Sequence, residues 1–160
     1  MRIEEITNTS DIDKLLSIVE TYSKTTEELN LSKKQFLKEL GEAGNNRHIF
    51  IGFKDDVVVA MIQIILNNAD NDPNLANGKD IAHLHNLQVR NELQGNGFGK
   101  QMIAFAEDKA RQMGKKVLTL GVDDFNERAI DLYKKLGYEI FKESLGRFPG
   151  ERCFDMKKAL

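Results

Sequence analysis

The chain has one cysteine, two prolines and no tryptophan in 160 residues. A lone Cys153 cannot close an internal disulfide, which excludes a disulfide-stapled scaffold and fits a reducing compartment. Pro73 and Pro149 are too few to build a Pro-rich linker, and no Ser/Gly tract, low-complexity stretch or internal repeat divides the sequence. Residues 1–160 therefore read as a single domain, within the roughly 100 to 200 residues one domain takes. Neither sign of charge dominates: 23 basic residues stand against 25 acidic ones, for a formal net charge of −2. That balance excludes a global basic field for nucleic acid or an anionic membrane surface. Long hydrophobic runs are also missing. Val57 to Ala69 is interrupted by Gln63, Asn67 and Asn68 and falls short of the roughly 20 residues of a membrane span. The first residues, Met1-Arg2-Ile3-Glu4-Glu5-Ile6, carry acids where an export signal has basic residues. The expectation is a cytoplasmic protein with no membrane or nucleic-acid partner.

What is present is an ordered alternation of elements. Arg2 to Thr7 reads as a strand, followed by a helix with an apolar stripe of Ile12, Leu15, Leu16 and Val19 that Thr9-Ser10-Asp11 can cap. Ser32 can cap a second helix bearing Phe36, Leu37 and Leu40, which ends at Gly41 or Gly44. His48 to Phe53 and Val57 to Leu66 flank Lys54-Asp55-Asp56 and predict an antiparallel hairpin. Ala69 to Asp80 reads as a loop. From Ile81 the order becomes βαβαβ: strand to Val89, glycine turn, helix Gly97 to Met113, strand Val117 to Val122, helix Asn126 to Leu136, strand Tyr138 to Lys142. A last strand spans Arg152 to Lys157. The class is α/β with a mixed sheet.

The turn Gln94-Gly95-Asn96-Gly97-Phe98-Gly99 runs straight into a helix, so backbone N–H groups and the positive helix end converge on one place that suits a phosphate. Lys100, Arg90 and Lys134 can add charge. A P-loop is excluded, because Gln94 stands where its first glycine belongs and Gln101 follows Lys100 in place of Ser or Thr. A dinucleotide fingerprint fits poorly, with Gly95, Gly97 and Gly99 each two apart, although Asp123 lies where a ribose-binding acid would stand. A plain tight turn is the bland alternative.

Val89 to Gly99 resembles the Gln/Arg-x-x-Gly-x-Gly/Ala signature of the GNAT superfamily of N-acetyltransferases, matched by Gln94, Gly97 and Gly99. A second block, Asn126 to Tyr138, is similar to that family's Asn-x-x-Ala-x-x-x-Tyr-x-x-x-Gly-Phe/Tyr segment, matched by Asn126, Ala129, Tyr133, Gly137 and Tyr138. The resemblance covers roughly residues 81 to 142. It implies an acyl-CoA N-acyltransferase fold, a mixed sheet of about six to seven strands with about four helices whose central strands splay apart. It also implies acetyl transfer from acetyl-CoA, as co-substrate, to a primary amine of a small molecule or peptide by direct attack on the thioester, with no metal.

Under that resemblance Gln94, Gly95, Asn96, Gly97, Phe98, Gly99 and Lys100 bind the pyrophosphate, and the main chain of Leu87 and Val89 pairs with the pantetheine arm. Asn126 contacts the cofactor or simply caps a helix. Tyr133 takes the general acid's position, against the plainer reading of a half-buried aromatic. An amine must be neutral to attack, and His83 followed by His85, on one strand face, are the candidate bases, the alternative for both being structural hydrogen bonding. Cys153 lacks a neighbouring His and is not expected to act as a nucleophile. Glu27-Glu28, Arg147 and the Phe148-Pro149-Gly150 turn can border the acceptor. Exposed strand edges leave room for a homodimer. The readings from other classes are a non-catalytic acyl-CoA-binding module and a nicotinamide-dependent reductase.

Overall fold

The computed structural model of the chain describes residues 1–146 and 148–160, so Arg147 lies outside the described residues. Seven strands lie in one mixed sheet with the order β1-β2-β3-β4-β5-β7-β6, accompanied by four α-helices. Contacts group the chain into two compact units, Met1–Ile65 with Asn86–Asp108 and Leu66–His85 with Lys109–Leu160.

The first unit opens with β1 (Arg2–Ile6), α1 (Ile12–Val19) and α2 (Thr26–Gly41). Asn8, rather than the Thr9-Ser10-Asp11 segment, caps the turn entering α1, its Oδ1 accepting from the Ser10 amide at 2.9 Å. Helix α2 begins six residues before Ser32. Thr25 Oγ1 accepts from the Glu28 amide at 3.1 Å, and Glu28 Oε2 accepts from the Lys24 amide at 2.7 Å. The Glu28 amide, one of the four orphan donors of the first turn, is thereby satisfied, and the Glu28 carboxylate ties down the residue before the cap, which is why the helix starts there. Strands β2 (Arg47–Lys54) and β3 (Val57–Ile65) pair antiparallel, and Asp55 and Asp56, both at positive φ, close the hairpin. Leu15, Leu16 and Val19 of α1 and Phe36 and Leu40 of α2 bury against Ile49, Ile51 and Met61. On the other face of β2, the Phe50 ring meets Phe105 edge-on at 5.1 Å. A polar thread crosses this apolar interior: buried Gln63 donates to Glu39 Oε2 at 2.7 Å, and Arg47 approaches the same carboxylate at 3.9 Å. A buried carboxylate needs such partners.

The first half of β4 (Ile81–Val89), which falls in the second unit, pairs parallel with β5 (Val117–Asp123) from Ile81–Val117 to Leu84–Leu120. Two residues beyond the last pair, Asn86 takes φ 52, left-handed for a residue within a strand. Strand β7 (Arg152–Ala159) lies antiparallel between β5 and β6 (Glu139–Leu145). Helix α3 (Phe98–Gln112) falls in the first unit up to Asp108, and α4 (Glu127–Lys135) in the second. Among the described residues no helix is long and apolar enough to cross a membrane.

Candidate active site

The glycine turn belongs to the first unit, between β4 and α3. Gly95 and Gly97 adopt φ of 79° and 82°, where a Cβ would clash with the chain's own carbonyl, so the sequence of glycines follows from the path of the backbone. Phe98, Gly99 and Lys100 open α3, and their amides are among those an α-helix leaves without an internal acceptor. Space above Gly97 is open, with no heavy atom within 4 Å of where a Cβ would stand. Gly99 is nestled on β4: its Cβ would lie 3.7 Å from Val89 Cγ2 and 3.9 Å from Leu87 Cδ2. Leu87 and Val89 thus turn their side chains to α3 and leave their main chain on the strand. Donors, space and the positive helix end fit a pyrophosphate.

Side chains of the turn divide into those that hold it and those that face out. Asn96 Nδ2 donates to the carbonyls of Leu93 (3.0 Å) and Gln94 (3.3 Å), so Asn96 braces the loop. Gln94 Nε2 donates to the Tyr22 hydroxyl at 2.6 Å, and the Asn91 amide donates to Thr21 Oγ1 at 3.0 Å, which ties the loop to the end of α1. Arg90 is likewise occupied, with Nε on Glu92 at 2.8 Å and Nη1 on the Ser17 carbonyl at 3.2 Å. Lys100 is exposed on the first turn of α3. Phe98 is buried beneath the turn, and with Lys54, Leu93, Asn96, Gln101 and Met1 it lines an open hollow of about 420 Å³.

Tyr133, Asn126, His83, His85 and Cys153 lie in the second unit, His48 and Glu28 in the first. Tyr133, on α4, is half-buried with its ring edge-on to Tyr138 at 6.0 Å. Its hydroxyl has no hydrogen-bonding partner among the described residues, and burial lifts the phenol above its usual value near 10. Asn126 caps α4, its Oδ1 accepting from the Ala129 amide at 3.2 Å, so the helix-capping role is filled and its Nδ2 is the end left to face outward. His83 is buried, 3% exposed, with Nδ1 2.8 Å from Thr119 Oγ1. That hydroxyl donates to the Leu75 carbonyl at 2.6 Å, so toward His83 Nδ1–H it acts as acceptor. His85 is half-buried, its ring 6.4 Å from that of His83. His48 is held on Glu5 at 2.7 Å. Burial, reinforced by the Asp155 charge, pushes the Cys153 thiol upward and keeps it protonated. Glu28, in its cap, is occupied.

Sequence reasoning missed one charged group altogether. Asp155, 3% exposed on β7, faces Lys142 Nζ at 3.6 Å, and the same ammonium bonds Asp72 of the loop before β4. Desolvation raises the Asp155 carboxyl while the Lys142 hydrogen bond lowers that of Asp72. No local pattern announces a contact across 70 residues. Removing the ammonium strands a buried charge, so Lys142→Met lowers the unfolding free energy by about 2 kcal/mol, below the usual cost of breaking a buried pair because Lys142 is one-third exposed. Chemical denaturation measures this, and Asp155→Asn in the same background recovers most of the loss.

Comparison with known proteins fits this arrangement. The family model described as acetyltransferase (GNAT) family matches residues 11–138, and the chain belongs to that family. It is 34% identical over 108 residues to an uncharacterised N-acetyltransferase of Lactobacillus delbrueckii subsp. lactis, covering 66% of this chain and 61% of that protein. It is 38% identical over 78 residues to a thialysine N-epsilon-acetyltransferase of Bos taurus, covering 46% of this chain and 45% of that one. The matches thus span less than two thirds of these relatives' own lengths. Among solved structures, PaiA N-acetyltransferase from Thermoplasma acidophilum, in complex with coenzyme A, superposes with a TM-score of 0.69 at 21% identity over the whole of both chains. The fold is the one the sequence resemblance implied, a seven-stranded mixed sheet with four helices.

Proposed function

We propose that this chain transfers an acetyl group from acetyl-CoA to a primary amine. The observation that carries the reading is the glycine turn: unclaimed helix-opening amides, positive-φ glycines and open space over Gly97, in a chain of an acetyltransferase family. Acetyl-CoA as co-substrate supplies an acyl thioester. The amides of Gly95 to Lys100 hold its pyrophosphate, and the main chain of Leu87 and Val89 aligns the pantetheine arm and polarises the carbonyl. The amine nitrogen attacks the carbonyl carbon directly, the C–S bond breaks, and Tyr133 Oη delivers a proton to the departing sulfur. Burial supports this role, since a phenol kept protonated at neutral pH is the form that donates. The amine loses its extra proton to a base, for which His83 and His85 are the candidates. His83 is buried with Nδ1 2.8 Å from Thr119 Oγ1, and His85 is the more exposed.

Relatives named for thialysine and L-amino acids, and structural neighbours named for aminoglycosides, support a reading in which the acceptor is a small amine carrying a free –NH₂. The test is incubation with acetyl-CoA and thialysine, L-methionine or kanamycin, read as amine-dependent CoA release. Release with at least one amine, abolished when acetyl-CoA is replaced by CoA, is the expected result. Acetyl-CoA binding with no transfer to any amine indicates a binding module instead.

A further inference from the structure

Gln88 occupies the second half of β4 between Leu87 and Val89. Those two neighbours face α3, as their approach to Gly99 shows, so the alternation of a strand sends Gln88 to the opposite face. There Gln88 Nε2 donates to Asn86 Oδ1 at 2.7 Å, and Asn86 Nδ2 lies 3.8 Å from Met61 Sδ. Met61 belongs to the core under α1 and α2, which fixes the side of the sheet on which this short amide chain lies. The left-handed φ of 52° at Asn86 brings the two amides together two residues apart.

The carbonyl end of Gln88 is the anomaly. Among the described residues, Gln88 Oε1 is the one side-chain nitrogen or oxygen that is buried and has no hydrogen-bond partner. Such an oxygen destabilises a fold, and an aliphatic side chain of the same length would avoid the penalty. Asn86 fixes the amide's orientation by taking its donor end, so the unsatisfied end is an acceptor that calls for an N–H. It stands on the strand that aligns the thioester, on the face away from the loop that holds the phosphates. A nucleophile reaching the carbonyl from that face presents N–H bonds and no lone pair to spare, because the lone pair is aimed at carbon.

Resting on the acetyltransferase reading, we infer that Gln88 Oε1 receives a hydrogen bond from the incoming amine and is a specificity-determining residue for acceptors that carry –NH₂. A primary amine keeps two N–H bonds after aiming its lone pair, enough for both the base and Gln88. An N-methylated amine keeps one.

The test uses the amine among thialysine, L-methionine and kanamycin that the parent acetylates fastest. Gln88→Met, close in shape and lacking the oxygen, is expected to raise the KM for that amine about tenfold, the effect of one lost hydrogen bond. The KM for acetyl-CoA stays within twofold, and Tm does not fall. Gln88→Glu keeps an oxygen in place and is expected to hold the amine KM within about threefold of the parent. An amine KM unchanged in Gln88→Met, or raised equally in both variants, overturns the inference and leaves acetyl transfer by the parent standing. If Gln88→Met does not fold, the Gln88→Glu result alone decides, since a tenfold rise there contradicts the proposal. A parent that binds acetyl-CoA yet acetylates none of the amines overturns the underlying reading and this inference with it.

Discussion

Tyr133→Phe lowers kcat by about 100-fold or more while the dissociation constant for CoA stays within about twofold. General acid catalysis contributes roughly that much where the leaving group is poor, and a thiolate expelled without a proton is a poorer leaving group than a thiol. The substitution removes one oxygen that bonds nothing among the described residues, so the ring stays edge-on to Tyr138 and the Tm changes little. Binding and chemistry therefore separate in a single variant, with CoA titration measuring the first and steady-state kinetics the second. The pH dependence has a definite sign. Burial raises the folded phenol above the value near 10 that it has when unfolded, so the protonated acid persists through neutral and mildly alkaline pH. Any loss of rate caused by its ionisation lies above pH 10, and the stability linked to the neutral phenol is complete below that value and lost as pH rises through the folded one. A fall in rate between pH 7 and 9 that vanishes in Tyr133→Phe contradicts this assignment.

Gly97→Val weakens acetyl-CoA binding by about tenfold or more. A φ of 82° costs an L-residue roughly 1–2 kcal/mol, and a β-branched residue pays the upper end, so the turn shifts to a conformation that no longer aims its amides together. The valine methyls also enter the open space over the turn. Asn96→Ala is milder, a few-fold, because Asn96 contributes bonds to the Leu93 and Gln94 carbonyls and the loop keeps its Gln94–Tyr22 and Asn91–Thr21 ties. Gly99→Ala is tolerated, since its Cβ meets Val89 and Leu87 at ordinary contact distances, whereas Gly99→Leu has nowhere to place its branch. Isothermal titration of the four variants with acetyl-CoA ranks them.

The elements from Ile81 onward were legible to within a few residues because their signals are local: β-branched runs, a glycine turn with one path open to it, and apolar stripes at helical spacing. Asn126 shows the limit of a motif, since its position fits a ligand contact and a cap alike and the structure fills the cap. Helix α2 starts earlier than Ser32 suggests, because the Thr25-x-x-Glu28 pattern seven residues before it is the stronger capping signal. What the sequence withheld was long-range. Thr119 beneath His83, Lys142 between Asp72 and Asp155, and the unsatisfied Gln88 carbonyl all depend on which strands become neighbours, and none has a spacing that foretells it. Each bears on which polar groups are free for a substrate, so strand neighbours decide more of this site's chemistry than the motifs do.

The most direct test of the central claim is the thermal midpoint of the parent with saturating acetyl-CoA, set beside free CoA, NADH and ATP. A ligand at 100 times its dissociation constant adds about 2.7 kcal/mol to the native state, a rise of roughly 5–10 °C for a chain of this length. A rise of that size with acetyl-CoA and CoA, reduced in Gly97→Val and preserved in Tyr133→Phe, is the predicted result. A rise with NADH or ATP and none with either CoA compound contradicts the assignment of the glycine turn and the roles of Tyr133 and Gln88 with it.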